Sequence, residues 1–200
     1  MNNVLKIYDL LYKEYGSQRW WPVSSSNSEF EIIVGAILTQ NTNWKNVEKS
    51  IKNLKDNNLL DKNSIKNINI AKLAALIRSS GYYKQKAKKL KEFVSFEGEI
   101  NRENLLNIWG IGPETADSIL LYAYNKPVFV IDAYTKRIFS RLGIKLNDYD
   151  EYQEYFHKNL PKDYKLFNEY HALLVELAKK HCKTKPICEN CPLINECKNN

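Results

Sequence analysis

Apolar residues recur along almost the whole of this 200-residue chain at the three- and four-residue spacing of helices, and hardly anywhere at the two-residue spacing of strands. This pattern predicts an all-α fold. Residues 57–67 are polar and are predicted to be a connection. Residues 127–131 have strand-like composition without a partner strand, so we expect an extended connector there. The predicted helices are residues 4–15, 30–40, 44–56, 70–78, 84–93, 104–109, 113–124, 134–142, 148–159 and 165–180.

Composition and charge narrow the class of protein. Hydrophobic residues make up 44 % of the chain and charged residues 26 %, which excludes a mainly disordered chain. The longest apolar run, residues 32–38, is much shorter than the roughly 20 residues of a membrane span, and the amino terminus lacks the pattern of a secretory signal. Thirty lysines and arginines against 23 acidic residues give a net charge of +7, which favours a nucleic-acid partner and a merely soluble lysine-rich surface about equally.

All four cysteines lie close together near the carboxyl end of the chain. They follow the pattern C-x5-C-x2-C-x5-C, as Cys182, Cys188, Cys191 and Cys197. Without a secretory signal, a metal or cluster site is favoured over disulfides. A structural zinc site usually offers two Cys-x-x-Cys pairs and this tail has one, so both zinc and an iron–sulfur cluster stay open at this point.

Residues 105–116 contain Gly110-Ile111-Gly112 between two predicted helices. Two glycines around one apolar residue allow a very tight turn close to the backbone of a partner. Pro113 suits the first position of a helix, and free amides at a helix start bind phosphate well. The segment is therefore predicted either to hold a DNA backbone without reading its sequence or to be a plain packing turn.

The downstream residues favour the first alternative, because residues 126–134 supply a connector followed by Asp132. Together with Gly110-Ile111-Gly112 they resemble the helix-hairpin-helix signature of the endonuclease III (HhH-GPD) superfamily of DNA glycosylases. Residues 38–42, residues 81–87 and the cysteine tail are also similar, so the resemblance covers most of the chain.

The resemblance implies two helical lobes, with a damaged base flipped into the cleft between them. The implied partner is double-stranded DNA containing a damaged base, bound by a monomer in the cytoplasm, in association with the nucleoid and without membrane contact. The expected division is lobe A at about 28–132, a six-helix barrel-like lobe with the hairpin at 105–124, and lobe B at about 1–27 plus 133–181, with the cluster loop at 182–197.

Asp132 is implied by the resemblance to be the catalytic carboxylate. An ionised carboxylate near C1′ stabilises the oxocarbenium-like sugar as the base departs, and it can orient or deprotonate the attacking water. The other interpretation is that Asp132 caps the helix beginning near residue 134. The two roles are compatible.

Glu114 occupies a position where the sequence departs from part of the superfamily. Bifunctional members place a lysine two residues after the second glycine of the hairpin, and this lysine forms a Schiff base with C1′. A carboxylate cannot form an imine. We therefore expect a monofunctional glycosylase with weak or absent AP-lyase activity. The alternative role of Glu114 is that of a first-turn acid on the helix dipole.

Within the superfamily the chain is most similar to the 3-methyladenine DNA glycosylase III group. By this similarity Trp21 and Trp44 sandwich the flipped base, Glu114 lies beside it and is expected to be catalytic together with Asp132, and Gln40 fills the gap left in the duplex. Aromatic faces attract the positive charge of N3-methylated adenine, whereas Trp20 is predicted to be core. Alternatives are an endonuclease III-like enzyme acting on oxidised or deaminated pyrimidines, and a non-catalytic DNA-binding module. The similar motifs are Trp20-Trp21-Pro22, residues 38–44 and residues 110–114.

The cysteine pattern is close to the C-x6-C-x2-C-x5-C pattern of the endonuclease III cluster, one residue shorter in the first loop. It implies a [4Fe–4S] cluster, with zinc as the alternative, although the 3-methyladenine group lacks a cluster. A structural cluster would order a loop whose Lys183 and Lys185 approach phosphates. His181 is not expected to be a ligand, His171 is expected to be a core or surface histidine, and His157 to lie on a helix surface.

Borohydride treatment of the protein on a duplex containing an abasic site is expected to trap no covalent adduct, because Glu114 cannot form the imine that borohydride reduces. Denaturing gel electrophoresis measures the adduct. Efficient trapping would mean that a lysine elsewhere attacks C1′ and would contradict the monofunctional assignment.

Overall fold

A computed structural model describes residues 3–21 and 28–198, and these residues form eleven α-helices and no β-strand. The predicted all-α fold is confirmed. Pro22 of the Trp-Trp-Pro motif lies outside the described residues. No helix in the described part of the chain combines the length and the apolar character needed to cross a membrane. The helices are α1 (Asn3–Tyr15), α2 (Ser28–Leu38), α3 (Trp44–Asp56), α4 (Lys62–Asn67), α5 (Ile70–Leu76), α6 (Tyr83–Ser95), α7 (Arg102–Asn107), α8 (Pro113–Ser118), α9 (Ala133–Arg141), α10 (Tyr149–Asn159) and α11 (Tyr164–Lys180).

Two predicted segments differ from the structure. Residues 57–67 were predicted to be a connection but contain α4, because Asp61 caps this helix through the Ser64 amide at 2.9 Å and Ile65 is fully buried. The predicted helix at 113–124 is α-helical only as α8 and continues as a π-helical turn, Ile119–Ala123. Four consecutive side chains of this turn are buried, more than one face of a regular helix presents.

The chain forms two compact units, which we call the terminal unit (residues 1–22 and 125–200) and the central unit (residues 23–124). Residues 125–132, which the sequence analysis placed in lobe A, belong to the terminal unit. The reason is that the extended connector is bonded to α10 and packs against aromatic side chains of α10 and α11.

The central unit is built around α2, which packs against α3, α6 and the π-helical turn. Leu38, at its end, is fully buried. The Lys86 ammonium donates hydrogen bonds to the carbonyl oxygens of Leu38 at 2.8 Å and Ser80 at 2.6 Å. Burial and the nearby charge of Lys89 lower the pKa of Lys86 to about 8. Lys86 therefore joins the end of α2, just before Gln40, to the start of α6.

In the terminal unit, side chains of α10 satisfy the backbone of the extended connector. The Phe129 amide donates to His157 Nε2 at 3.0 Å, and Gln153 Nε2 donates to the Phe129 carbonyl oxygen at 2.8 Å. The Ile131 amide donates to Tyr149 Oη at 3.3 Å. The three α10 residues are spaced four apart and share one helix face. This face supplies the bonds that a neighbouring strand would supply in a sheet.

Aromatic packing fixes the same connector from its apolar side. The Phe129 ring stacks on Phe156 with centroids 3.9 Å apart, and it meets Phe167 and Tyr170 edge-on at 5.3 and 5.7 Å. His157 is exposed, as predicted for a helix surface, but it also stacks on Phe167. The connector is thus held on two sides where it leads into α9.

Replacing Gln153 by Met tests whether these bonds stabilise the fold. Gln153→Met keeps the side-chain size but leaves the buried Phe129 carbonyl without its amide donor, so the free energy of unfolding should fall by about 1–3 kcal/mol. Denaturant unfolding measures the change. Gln85→Met, an exposed position on α6, is the control and should change it by less than about 0.5 kcal/mol. Equal stability of both variants would contradict the account.

Candidate functional site

Asp132 ends the connector and begins α9 as its N-cap. Its Oδ1 accepts a hydrogen bond from the Thr135 amide at 2.7 Å. Asp132 is therefore the helix cap that its sequence position allows. The cap uses one carboxylate oxygen and leaves the second oxygen for another contact.

The second oxygen of Asp132 faces a histidine of α11. Asp132 Oδ2 lies 3.6 Å from His171 Nε2, and the two side chains are 14 % and 9 % exposed. The sequence around His171 does not indicate a functional role for this residue. A sequence feature that could have indicated its position is the neighbouring Tyr170, a core aromatic residue of the helix that packs against α9.

The surroundings of Asp132 favour its ionised form. Burial alone would raise the pKa of the carboxyl, but the His171 side chain and the hydrogen bond from the Thr135 amide outweigh it, and the pKa of Asp132 lies below its ordinary value. At neutral pH the site therefore presents a negative charge with little access to water. Such a group can stabilise a positive charge or accept a proton.

In the central unit, α7 and α8 form the predicted hairpin. Gly110 has φ +82°, and a Cβ there would lie 2.6 Å from Cε of Lys89, so this position requires glycine. Gly112 is exposed with open space in front of it, and Pro113 follows as the first residue of α8. The Ile111 side chain is buried. Ile111 is a predicted DNA-binding residue, and it can therefore contact DNA only through its backbone.

Gln40 braces the hairpin in this structure. Its Nε2 donates to the Gly110 carbonyl oxygen at 3.2 Å and to Thr115 Oγ1 at 2.8 Å, and its Oε1 accepts from the Lys89 ammonium. Contact of Gln40 with DNA is the prediction from the sequence resemblance. The structure adds that its amide fixes the turn that is predicted to hold the DNA backbone.

The three residues predicted to surround the base lie on different elements. Glu114 is exposed on the first turn of α8, and Trp44 begins α3 of the central unit, where it is partly buried. Trp21 belongs to the terminal unit and is also partly buried. Its ring centroid lies 5.3 Å from that of Trp20 at an interplanar angle of 56°.

The four cysteines line one small cavity of about 30 Å³ and form no disulfide. Burial, together with the three neighbouring thiols, raises the pKa of Cys191. Within residues 3–21 and 28–198 no three His, Cys, Asp or Glu side chains converge as ligands of a single metal ion. Four thiols around a common space are the kind of donor set that an iron–sulfur cluster or a zinc ion takes in proteins.

The cysteine loop is tied to α9 by two arginines. Arg141 Nη1 donates to Cys182 Sγ at 3.0 Å and to the Lys183 carbonyl oxygen at 2.7 Å. Arg137 Nε donates to the Cys182 carbonyl oxygen at 2.8 Å. Lys183 and Lys185 are exposed. One helix thus carries Asp132 at its start and the anchors of the cysteine loop towards its end.

His181 lines the cysteine cavity, but its Nδ1 is engaged in a 3.1 Å contact with the Ile187 carbonyl oxygen.

Comparison with known proteins identifies the family. The model of the HhH-GPD superfamily of base excision DNA repair proteins matches residues 34–162. A Methanocaldococcus jannaschii protein named as a DNA repair glycosylase is 49 % identical over 97 % of this chain and 95 % of that protein. Endonuclease III of Thermotoga maritima is 32 % identical over 84 % of this chain and 82 % of that protein. The crystal structure of the H. pylori 3-methyladenine DNA glycosylase bound to 1,N6-ethenoadenine is 35 % identical, covers 89 % of this chain and 95 % of its own, and superposes with a TM-score of 0.76. The chain therefore belongs to the HhH-GPD superfamily of base excision DNA repair proteins and is a DNA glycosylase of that family.

Proposed function

We propose that this glycosylase is monofunctional and releases alkylated purines, with 3-methyladenine as the representative substrate, by hydrolysis assisted by Asp132. The observation that carries the proposal is the nearly buried carboxylate of Asp132, with the Thr135 amide bonded to one oxygen and His171 Nε2 at 3.6 Å from the other. The proposal that the enzyme is monofunctional is also supported by Glu114, because this carboxylate stands at the position where bifunctional members have the Schiff-base lysine.

In the proposed reaction, Asp132 acts on the sugar of an extruded nucleotide. As the bond between C1′ and the base nitrogen breaks, its electron pair leaves with the base, and positive charge develops on the sugar ring. The negative charge of Asp132 stabilises this charge, and its carboxylate orients the water that adds to C1′ or accepts the proton of that water. His171 is proposed to position Asp132 rather than to touch the substrate.

The proposed substrate class follows from charge. An N3-methylated adenine is cationic, so its bond to the sugar is already weakened and recognition matters more than protonation of the leaving base. Trp21 and Trp44 are proposed to stack on the base, with Glu114 beside it, and cation–π attraction contributes on the order of 1–2 kcal/mol. Support comes from the H. pylori relative, whose structure holds 1,N6-ethenoadenine, a modified adenine.

The proposed DNA contacts are sequence-independent. The backbone of Gly110, Ile111 and Gly112 would hold phosphates, and Lys183 and Lys185 would approach the backbone from the cysteine loop. Gln40 would fill the gap left by the extruded base, which requires its amide to exchange its bonds to the hairpin for bonds to DNA. A monomer on double-stranded DNA is the proposed assembly.

Cys182, Cys188, Cys191 and Cys197 are proposed to hold a [4Fe–4S] cluster. When bound, the cluster would cross-link the cysteine loop as a structural group, with no part in cleavage of the glycosidic bond. Arg137 and Arg141 of α9 already bond to the loop backbone at Cys182 and Lys183, so the cluster would bring Lys183 and Lys185 into a defined position relative to this helix.

A second candidate is an endonuclease III-like activity on oxidised or deaminated pyrimidines. It is favoured by the four-cysteine tail, which the 3-methyladenine group lacks, and by the relationship to T. maritima endonuclease III. Release of bases from duplexes carrying 3-methyladenine, hypoxanthine, uracil, thymine glycol or 8-oxoguanine separates the two candidates. Preferred release of 3-methyladenine supports the first, and preferred release of thymine glycol or uracil supports the second.

Asp132→Asn tests the catalytic role without removing the cap, because asparagine caps helices as well as aspartate does. Single-turnover release of 3-methyladenine should fall by at least about a hundredfold, while affinity for the lesion duplex and the unfolding free energy are retained. Asp148→Asn, at the N-cap of α10, is the matched control and should keep wild-type release. Undiminished release by Asp132→Asn would remove Asp132 from catalysis.

The pH dependence tests the role of His171. Asp132 must be ionised, and its lowered pKa means that release in the wild type should not decline through Asp132 until the pH falls below the ordinary carboxyl range, about 4. In His171→Ala the side chain that lowers the pKa of Asp132 is lost, whereas burial still raises this pKa. The acid limb of the single-turnover rate should therefore move to higher pH. His157→Gln, whose side chain can still accept from the Phe129 amide, should keep the wild-type profile. Identical acid limbs in wild type and His171→Ala would contradict the role.

A further inference from the structure

Trp109 is an exposed aromatic residue at the hairpin with no part in the function described so far. Trp109 is 48 % exposed and lies directly before the Gly110 turn. Leu106, three residues earlier on α7, is 37 % exposed. The Lys88 ammonium lies over the Trp109 ring, 4.1 Å from its centroid. Apolar surface and positive charge thus meet at one end of the hairpin.

Lys88 differs from most of the other lysines of α6 because it is turned to solvent. Lys86 and Lys89 donate to oxygens within the central unit, and Lys91 donates to the carbonyl oxygens of Lys66, at 2.8 Å, and Ile68. Lys88 is exposed and is placed by its cation–π contact with Trp109. The charge is therefore held beside the indole rather than left at random on the surface.

We propose that Trp109 and Lys88 form a binding site for one sugar–phosphate unit of DNA, the indole packing against a deoxyribose and the ammonium pairing with the adjoining phosphate. A deoxyribose offers apolar C–H surface next to an anion, which matches an indole beside an ammonium in both chemistry and charge. The site is continuous in sequence with the Gly110–Gly112 turn, so the strand held by the turn is its occupant. The inference rests on the proposed DNA contact of the hairpin.

The test is equilibrium binding to a duplex that carries a tetrahydrofuran abasic analogue, measured by fluorescence anisotropy over a series of NaCl concentrations. Lys88→Ala should reduce the slope of log K against log salt by about 0.9, the value for one phosphate contact. Trp109→Ala should weaken binding about tenfold at every salt concentration and leave the slope unchanged. Lys72→Ala, an exposed lysine on α5, should change neither quantity.

Trp109→Phe keeps an aromatic ring and guards against a folding defect in Trp109→Ala. It should retain most of the affinity, and the quenching of tryptophan emission on DNA addition should be smaller than in the wild type. Wild-type affinity and slope in both alanine variants, or equal quenching in wild type and Trp109→Phe, would overturn the proposal. Base release with saturating DNA should stay at the wild-type rate in Lys72→Ala. Loss of base release in Asp132→Asn is independent of these results. A failure of the proposed DNA-binding site can therefore be distinguished from a failure of the proposed catalytic role of Asp132.

Discussion

The placement of Asp132 depends on a short piece of extended chain in a protein whose described residues otherwise form helices and the loops and turns between them. Buried backbone amides and carbonyls need hydrogen-bond partners, and an extended segment without a sheet has to find them elsewhere. Tyr149, Gln153 and His157 supply these partners from one face of α10, while the Phe129 ring packs into an aromatic cluster. Because both sides of the connector are fixed, the residue that follows it is fixed as well.

Asp132 combines a structural and a chemical role because its two oxygens have different neighbours. One oxygen caps α9 through the Thr135 amide, and the other faces His171. The cap holds the carboxylate in orientation, and both contacts favour its charge against the effect of burial. From the same helix, Arg137 and Arg141 bond to the cysteine loop. Helix α9 is therefore the element that connects the proposed catalytic group to the proposed cluster ligands within the terminal unit.

Sequence reasoning reached those features that depend on residues close together in the chain. The helices, the extended connector and the cap at Asp132 follow from periodicity and from residue types at neighbouring positions. It missed α4, which is short and has a single buried residue, and the π-helical turn, whose backbone depends on its packing. It also missed the contacts of His171 with Asp132 and of Gln40 with the hairpin, because these join residues far apart in sequence. The exposed Trp109 needed the structure too, since a tryptophan in a helical pattern is ordinarily a core residue.

The central claim is that an ionised carboxylate, without an amine nucleophile, directs water to the sugar. Product analysis of a single turnover on a duplex containing 3-methyladenine tests it most directly, with the released base detected by mass spectrometry and the strand by denaturing electrophoresis. The account predicts free 3-methyladenine and an unbroken strand that carries an abasic site. A strand cleaved at the same rate as the base is released would contradict it.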